Sequence, residues 1–198
     1  MQGALWEHKV AALVVGTALF GAVEYYIDSQ LTQSTSHVYQ LWDSILLGSY
    51  TFTLTTGSLL FALLVAIPLF FGAAFGPWVG LLVGTLGSLV GDLIGGHASG
   101  FTFDWHWYIG LGLMGFFASF AQFRTHRRYT FRATILIAAF VGALAMAIGI
   151  GGAVFSIYWS LNAALAPDLF IGFAPEALVV IVIFAFLLYV YNAMVGRR

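Results

Sequence analysis

The sequence predicts an all-α integral membrane protein of six transmembrane helices with both termini in the cytoplasm. Three observations predict it. Apolar residues make up 61% of the 198 and charged residues 8%, with a mean hydropathy of +0.96, whereas soluble domains run at roughly 45–50% apolar and about 25% charged. So much apolar surface on so short a chain needs lipid as a solvent. Six segments approach the ~20 residues required to cross the hydrocarbon core. The seven basic residues all fall on one side of a six-span chain, and the side rich in lysine and arginine is cytoplasmic.

The spans are expected at residues 7–29, 56–75, 77–96, 105–123, 133–158 and 175–195, forming one transmembrane domain. In the first, the apolar run from Val10 onward is preceded by a single lysine, Lys9, and shows no clear small-residue cleavage site, so it is not expected to be a cleavable signal. The second carries Pro68, which should kink it. Phe75-Gly76-Pro77 separates the second span from the third, and proline suits a first helical turn because its missing N–H would have no partner there. Gly80, Gly84, Gly87, Gly91 and Gly95 follow at steps of four and three, which puts them on one face of the third helix. Such a face admits close backbone approach, and packing within this protein is the expected use. The fifth span ends in Gly149, Gly151 and Gly152, where irregularity is expected. The sixth is expected to start at Pro175.

Orientation follows from Lys9, Arg124, Arg127, Arg128, Arg132, Arg197 and Arg198. They lie at the N-terminus, between spans four and five, and at the C-terminus. An odd number of spans would break this distribution. The acids are distributed the other way. Glu7 is on the inner side, and Glu24, Asp28, Asp43, Asp92, Asp104, Asp168 and Glu176 map to the outer half. Acids contribute little to topology, so the bias needs another cause. Headgroup contact is one reading, and for Glu176 a helix N-terminus is sufficient. For Glu24 and Asp92 a cavity or a partner is the stronger reading, since a charge near the bilayer is costly.

Flat rings crowd the same side. Tyr39, Trp42 and Tyr50 occupy the first outer loop, Tyr158 and Trp159 end the fifth span near Asn162, and Asp104-Trp105-His106-Trp107-Tyr108 interleaves rings with polar groups. An interfacial aromatic belt accounts for one or two such residues per helix end; the interleaved run suits a concave site for a small aromatic ligand. A metal site from His97, Asp104, His106 and Asp92 matches no ligand spacing, and no catalytic set stands out, so neither an enzyme nor a cofactor is expected. The absence of cysteine excludes thiol chemistry and disulfides. Near-neutral charge argues against nucleic acid.

The small-residue face of the first span (Ala11, Ala18 and Ala22, with Ala12 and Gly16 beside it) serves packing inside the protein or docking of another subunit. With Ala18-Leu-Phe-Gly-Ala22, the Phe75-Gly76-Pro77 start and the glycine-rich third helix running to Gly91-Asp92, the chain resembles the S component of energy-coupling-factor (ECF) transporters. These are the substrate-binding membrane subunits that take vitamins and their precursors into prokaryotic cells. The resemblance implies a multi-pass protein of the prokaryotic plasma membrane. It implies that Ala18 and Ala22 dock the transmembrane coupling subunit, which two ATPases drive, and that the ligand sits near the outer face. The chain has no Walker motif, so ATP hydrolysis must come from partners. The alternative is an accessory structural subunit of a larger membrane complex that uses the same faces and binds no ligand.

No lysine or arginine lies in the outer half, and carboxylates and phosphates are usually held by those residues or by a helix N-terminus. The expected ligand is therefore a neutral or cationic flat heteroaromatic compound, thiamine or its pyrimidine precursor first and riboflavin second. Stacking is expected from Trp105, Trp107, Tyr158 or Trp159, and polar contacts from Glu24, Asp92, His106 or Asn162.

Overall fold

The computed structural model describes residues 2–33, 56–95, 105–124, 131–160 and 166–195, with side chains placed over most of that range. Six α-helices cover them: α1 (Gln2–Gln33), α2 (Thr56–Phe75), α3 (Pro77–Gly95), α4 (Trp105–Ala118), α5 (Phe131–Ser160) and α6 (Ala166–Val195). A 3₁₀ turn, Ser119–Arg124, extends α4. Within them, Trp6–Ile27, Pro77–Gly95 and Ala177–Met194 are long and apolar enough to cross a membrane, and Leu60–Phe75, Trp107–Ala121 and Thr134–Gly149 are shorter apolar segments.

The α2–α3 junction follows from Gly76 and Pro77. Gly76 has φ 109°, a region that L side chains rarely adopt. Its amide donates to the Gly72 carbonyl at 3.0 Å, closing α2, and its carbonyl accepts from the Gly80 amide at 3.1 Å, opening α3. One residue thus ends one helix and starts the next.

Beyond shifts of up to five residues at other helix ends, two features differ from the sequence reading. α6 begins at Ala166, not at Pro175. Pro167 falls in the first helical turn, where it loses no hydrogen bond. Pro175 lies inside the helix, where the loss of one bond is tolerable because neighbouring groups can re-satisfy the backbone. α5 runs unbroken through Gly149, Gly151 and Gly152. Gly149 is there for closeness, since a methyl on it would collide with Met114 and the Gly110 carbonyl of α4.

α2 lies at the centre, packed against α1, α3, α4 and α6. From Leu64 to Ala74 almost every residue is buried, Pro68 included, and the helix is continuous through that proline. A helix that is apolar all round belongs in such a position. α3 packs on α1 along one side and on α4 along another, and α5 bridges α4 and α6. Phe20, Val65, Leu69, Val83, Leu111, Met114 and Phe184 form the fully buried core. Leu136, Phe140, Val182 and Phe186 point outward, where hydrocarbon is the solvent and their exposure costs nothing.

The glycine ridge of α3 is divided between two partners. Gly80 and Gly84 face the α4 backbone at Gly115 and at Leu111–Gly112, while Gly87 and Gly91 face Phe20 and Glu24 of α1. At the closest point three helices meet backbone to backbone: a methyl on Gly80 would lie 2.6 Å from both the Gly72 Cα and the Gly115 carbonyl carbon.

Candidate functional site

Of the residues singled out from the sequence, Glu24, Asp92, Trp105 and Trp107 lie where α3 ends and α4 begins. Glu24, in the second half of α1, is 7% exposed. Its side chain fits against α3 because Gly91 has no Cβ; a methyl there would sit 2.9 Å from the Glu24 Cβ. The Ser88 hydroxyl, fully buried, donates to Glu24 Oε1 at 2.6 Å. Glu24 is therefore turned into the α1–α3 interface, which it ties across 64 positions of sequence.

Asp92 stands one turn beyond Ser88 and is half-buried. The buried Tyr108 donates its hydroxyl to Asp92 Oδ2 and joins α3 to the first turn of α4. Trp107, beside it, is half-buried and stacks at a tilt on Phe61 of α2, with centroids 6.2 Å apart and planes 30° apart. Trp105 is 46% exposed at the start of α4. The carboxylates are thus acceptors held in place by hydroxyl donors, next to rings on a helix start.

Glu24, Asp92 and Trp107 are brought to the same end of the bundle, with Trp105 at its edge. His106 lies in α4, and Tyr158 and Trp159 lie in the last turn of α5, but their side chains are outside the described residues, as is Asn162 entirely. Ser88, Tyr108 and Phe61 are partners that sequence reasoning did not assign. Tyr108 carried a signal as the last ring of the interleaved run, and Ser88 as a hydroxyl one helical turn before Asp92 on a face of glycines. Among the described residues no three His, Asp or Glu side chains lie close enough together to hold a metal ion.

The small-residue faces of α1 separate cleanly. Ala12 and Gly16 are buried, Gly16 against Val83 and Phe71, whereas Ala11, Ala18 and Ala22 are exposed. Packing within the described residues therefore leaves the Ala18–Ala22 face uncovered.

The family model described as "ECF-type riboflavin transporter, S component" matches residues 46–193, about three quarters of the chain. The matched stretch contains α2 to α5 and nearly all of α6; α1 precedes it. Comparison with curated proteins and with solved structures gives no match.

Proposed function

We propose that this chain, which belongs to the family of ECF-type riboflavin transporter S components, binds riboflavin at the outer end of its bundle. As an S component it is a multi-pass substrate-binding transport subunit, not an enzyme. The proposal concerns the ligand, the residues that hold it, the prokaryotic plasma membrane as location, the inward-facing termini, and the coupling subunit and two ATPases as partners.

One observation carries the choice of ligand class: acids and flat rings meet where α3 ends and α4 begins, on a half of the chain with no lysine or arginine. A carboxylate offers about four acceptor sites, so Asp92 can take a ligand N–H or O–H while Tyr108 occupies one site. The isoalloxazine ring of riboflavin is neutral and flat, and its ribityl chain is rich in hydroxyl donors. Trp105 and Trp107 supply stacking surface, and His106, Tyr158, Trp159 and Asn162 complete the proposed set. Glu24 acts from behind, holding α3 in register through Ser88. The sequence alone favoured thiamine-like ligands over riboflavin; both satisfy the charge argument, and the family match moves riboflavin ahead.

Calorimetry on the detergent-purified protein with a vitamin panel tests the reading. Riboflavin should bind tightly, with thiamine weaker and the carboxylate vitamins biotin, folate and pantothenate not bound. Tight binding of a carboxylate vitamin without riboflavin would overturn the charge argument. The alternative of an accessory subunit without a ligand predicts no binding across the panel.

A further inference from the structure

At the opposite end of the bundle, the first turns of α1 and the α2–α3 turn enclose a half-open groove of about 550 Å³. Its floor is apolar, from Val10, Leu13, Val79 and Leu82, and Lys9 is the one charged residue among the described residues that line it. Trp6 and Trp78 stand at its rim, 70% and 68% exposed. The Trp78 ring is held edge-on to Phe116, with centroids 5.9 Å apart. Pro77–Val79, the positive end of the α3 dipole, forms part of the wall.

We propose that this groove holds an anionic phospholipid of the adjacent leaflet, with its phosphate at Lys9 and an acyl chain along the apolar floor. Three features favour a lipid. The charge is one cation with no acid opposing it in the lining, which complements a phosphodiester and fits no extended charged protein surface. The floor continues outward one helical turn to Val14 and Leu86, both exposed to hydrocarbon, which gives the chain a path into the bilayer. Indole rings at the rim are the side chains that favour the headgroup level. The proposal takes its leaflet, the cytoplasmic one, from the orientation proposed above, and does not depend on which vitamin is bound.

The test is native mass spectrometry of the full-length protein in detergent, titrated with equimolar phosphatidylglycerol and phosphatidylcholine. Phosphatidylglycerol should be retained in preference. Lys9→Gln should reduce its retention about fivefold, the effect of one basic residue near an anionic surface. Lys9→Arg should keep it, and riboflavin binding should be unchanged in both variants. Equal retention of the two lipids by the unmodified protein would overturn the proposal, as would undiminished retention in a folded Lys9→Gln. If Lys9→Gln does not fold, the lipid preference of the unmodified protein decides alone. Trp78→Ala offers a second arm: loss of coupling-subunit co-purification without loss of lipid preference would make the groove a protein-docking surface and sink the lipid assignment.

Discussion

Glu24 and Asp92 are both carboxylates on membrane helices, but their neighbours differ. Glu24 is buried against the Gly91 backbone with Ser88 donating to it, and Asp92 is half-buried with Tyr108 donating to it. Gly91→Ala would force the Glu24 side chain off α3. Overpacking of this kind costs about 1–3 kcal/mol, so the variant should unfold earlier in a thermal melt and should also lose the Ser88 bond. Ser88→Ala should destabilise by about 1–3 kcal/mol, the range for leaving a buried acceptor without its donor. If both variants melt like the unmodified protein, Glu24 is not holding α1 to α3. Tyr108→Phe removes the donor to Asp92 and keeps the ring. If Asp92 accepts from the ligand, this variant should fold normally and bind riboflavin about tenfold more weakly, a loss near one hydrogen bond. Unchanged affinity in calorimetry would show that Tyr108 does not position Asp92 for the ligand.

At the scale of elements, glycine spacing sets how closely helices approach. Gly115→Ala would drive a methyl into the Gly80 backbone, and neither backbone can yield as a side-chain end would. A loss of at least 1–3 kcal/mol is expected, at the upper end of overpacking costs or beyond it. Gly151→Ala is the matched control, since a methyl there meets nothing within 4 Å. It should be neutral or stabilising by roughly 0.5–1 kcal/mol, the helix-interior difference between the two residues. Similar melting temperatures for the two variants would contradict the packing described here. On α1, Ala18 and Ala22 are exposed while Gly16, Gly21 and Phe20 pack inward. Ala18→Trp should therefore fold and bind ligand yet block uptake in cells, because the added ring occupies the space a docking helix needs. Normal uptake with Ala18→Trp would refute the docking role.

For the whole molecule the orientation in the membrane is directly testable. The chain has no cysteine, so single-cysteine variants report accessibility without background. With the proposed orientation, cysteines replacing Ser34, Ser99 and Ala166 should react with an impermeant reagent added to intact cells, and one replacing Thr125 should not. Reaction at position 125 would overturn the six-span orientation and would move the groove at Lys9 to the other leaflet. It would leave the packing of α1 on α3 untouched.

Much of this architecture was legible in the sequence because membrane helices announce themselves by length and apolarity. The start of α3 was readable to the residue, since Gly76 and Pro77 each permit only a narrow backbone conformation. The start of α6 was not. Proline suits a first helical turn, so Pro175 was read as the start, and only the packed helix shows that it is interior. The five glycines of α3 could be assigned to one face, but that the face serves α4 in its first half and α1 in its second depends on where those helices cross.

The sequence by itself determined the solvent, the number of helices and the charge of each end, because these depend on composition and on local spacing. Only the tertiary structure decided that α2 lies at the centre, that Ser88 serves Glu24, and that Tyr108 serves Asp92. Those pairings join residues on different helices, Ser88 and Glu24 being 64 positions apart. Helical periodicity places a side chain on a face of its own helix; which helix covers that face is settled by the close packing of all six.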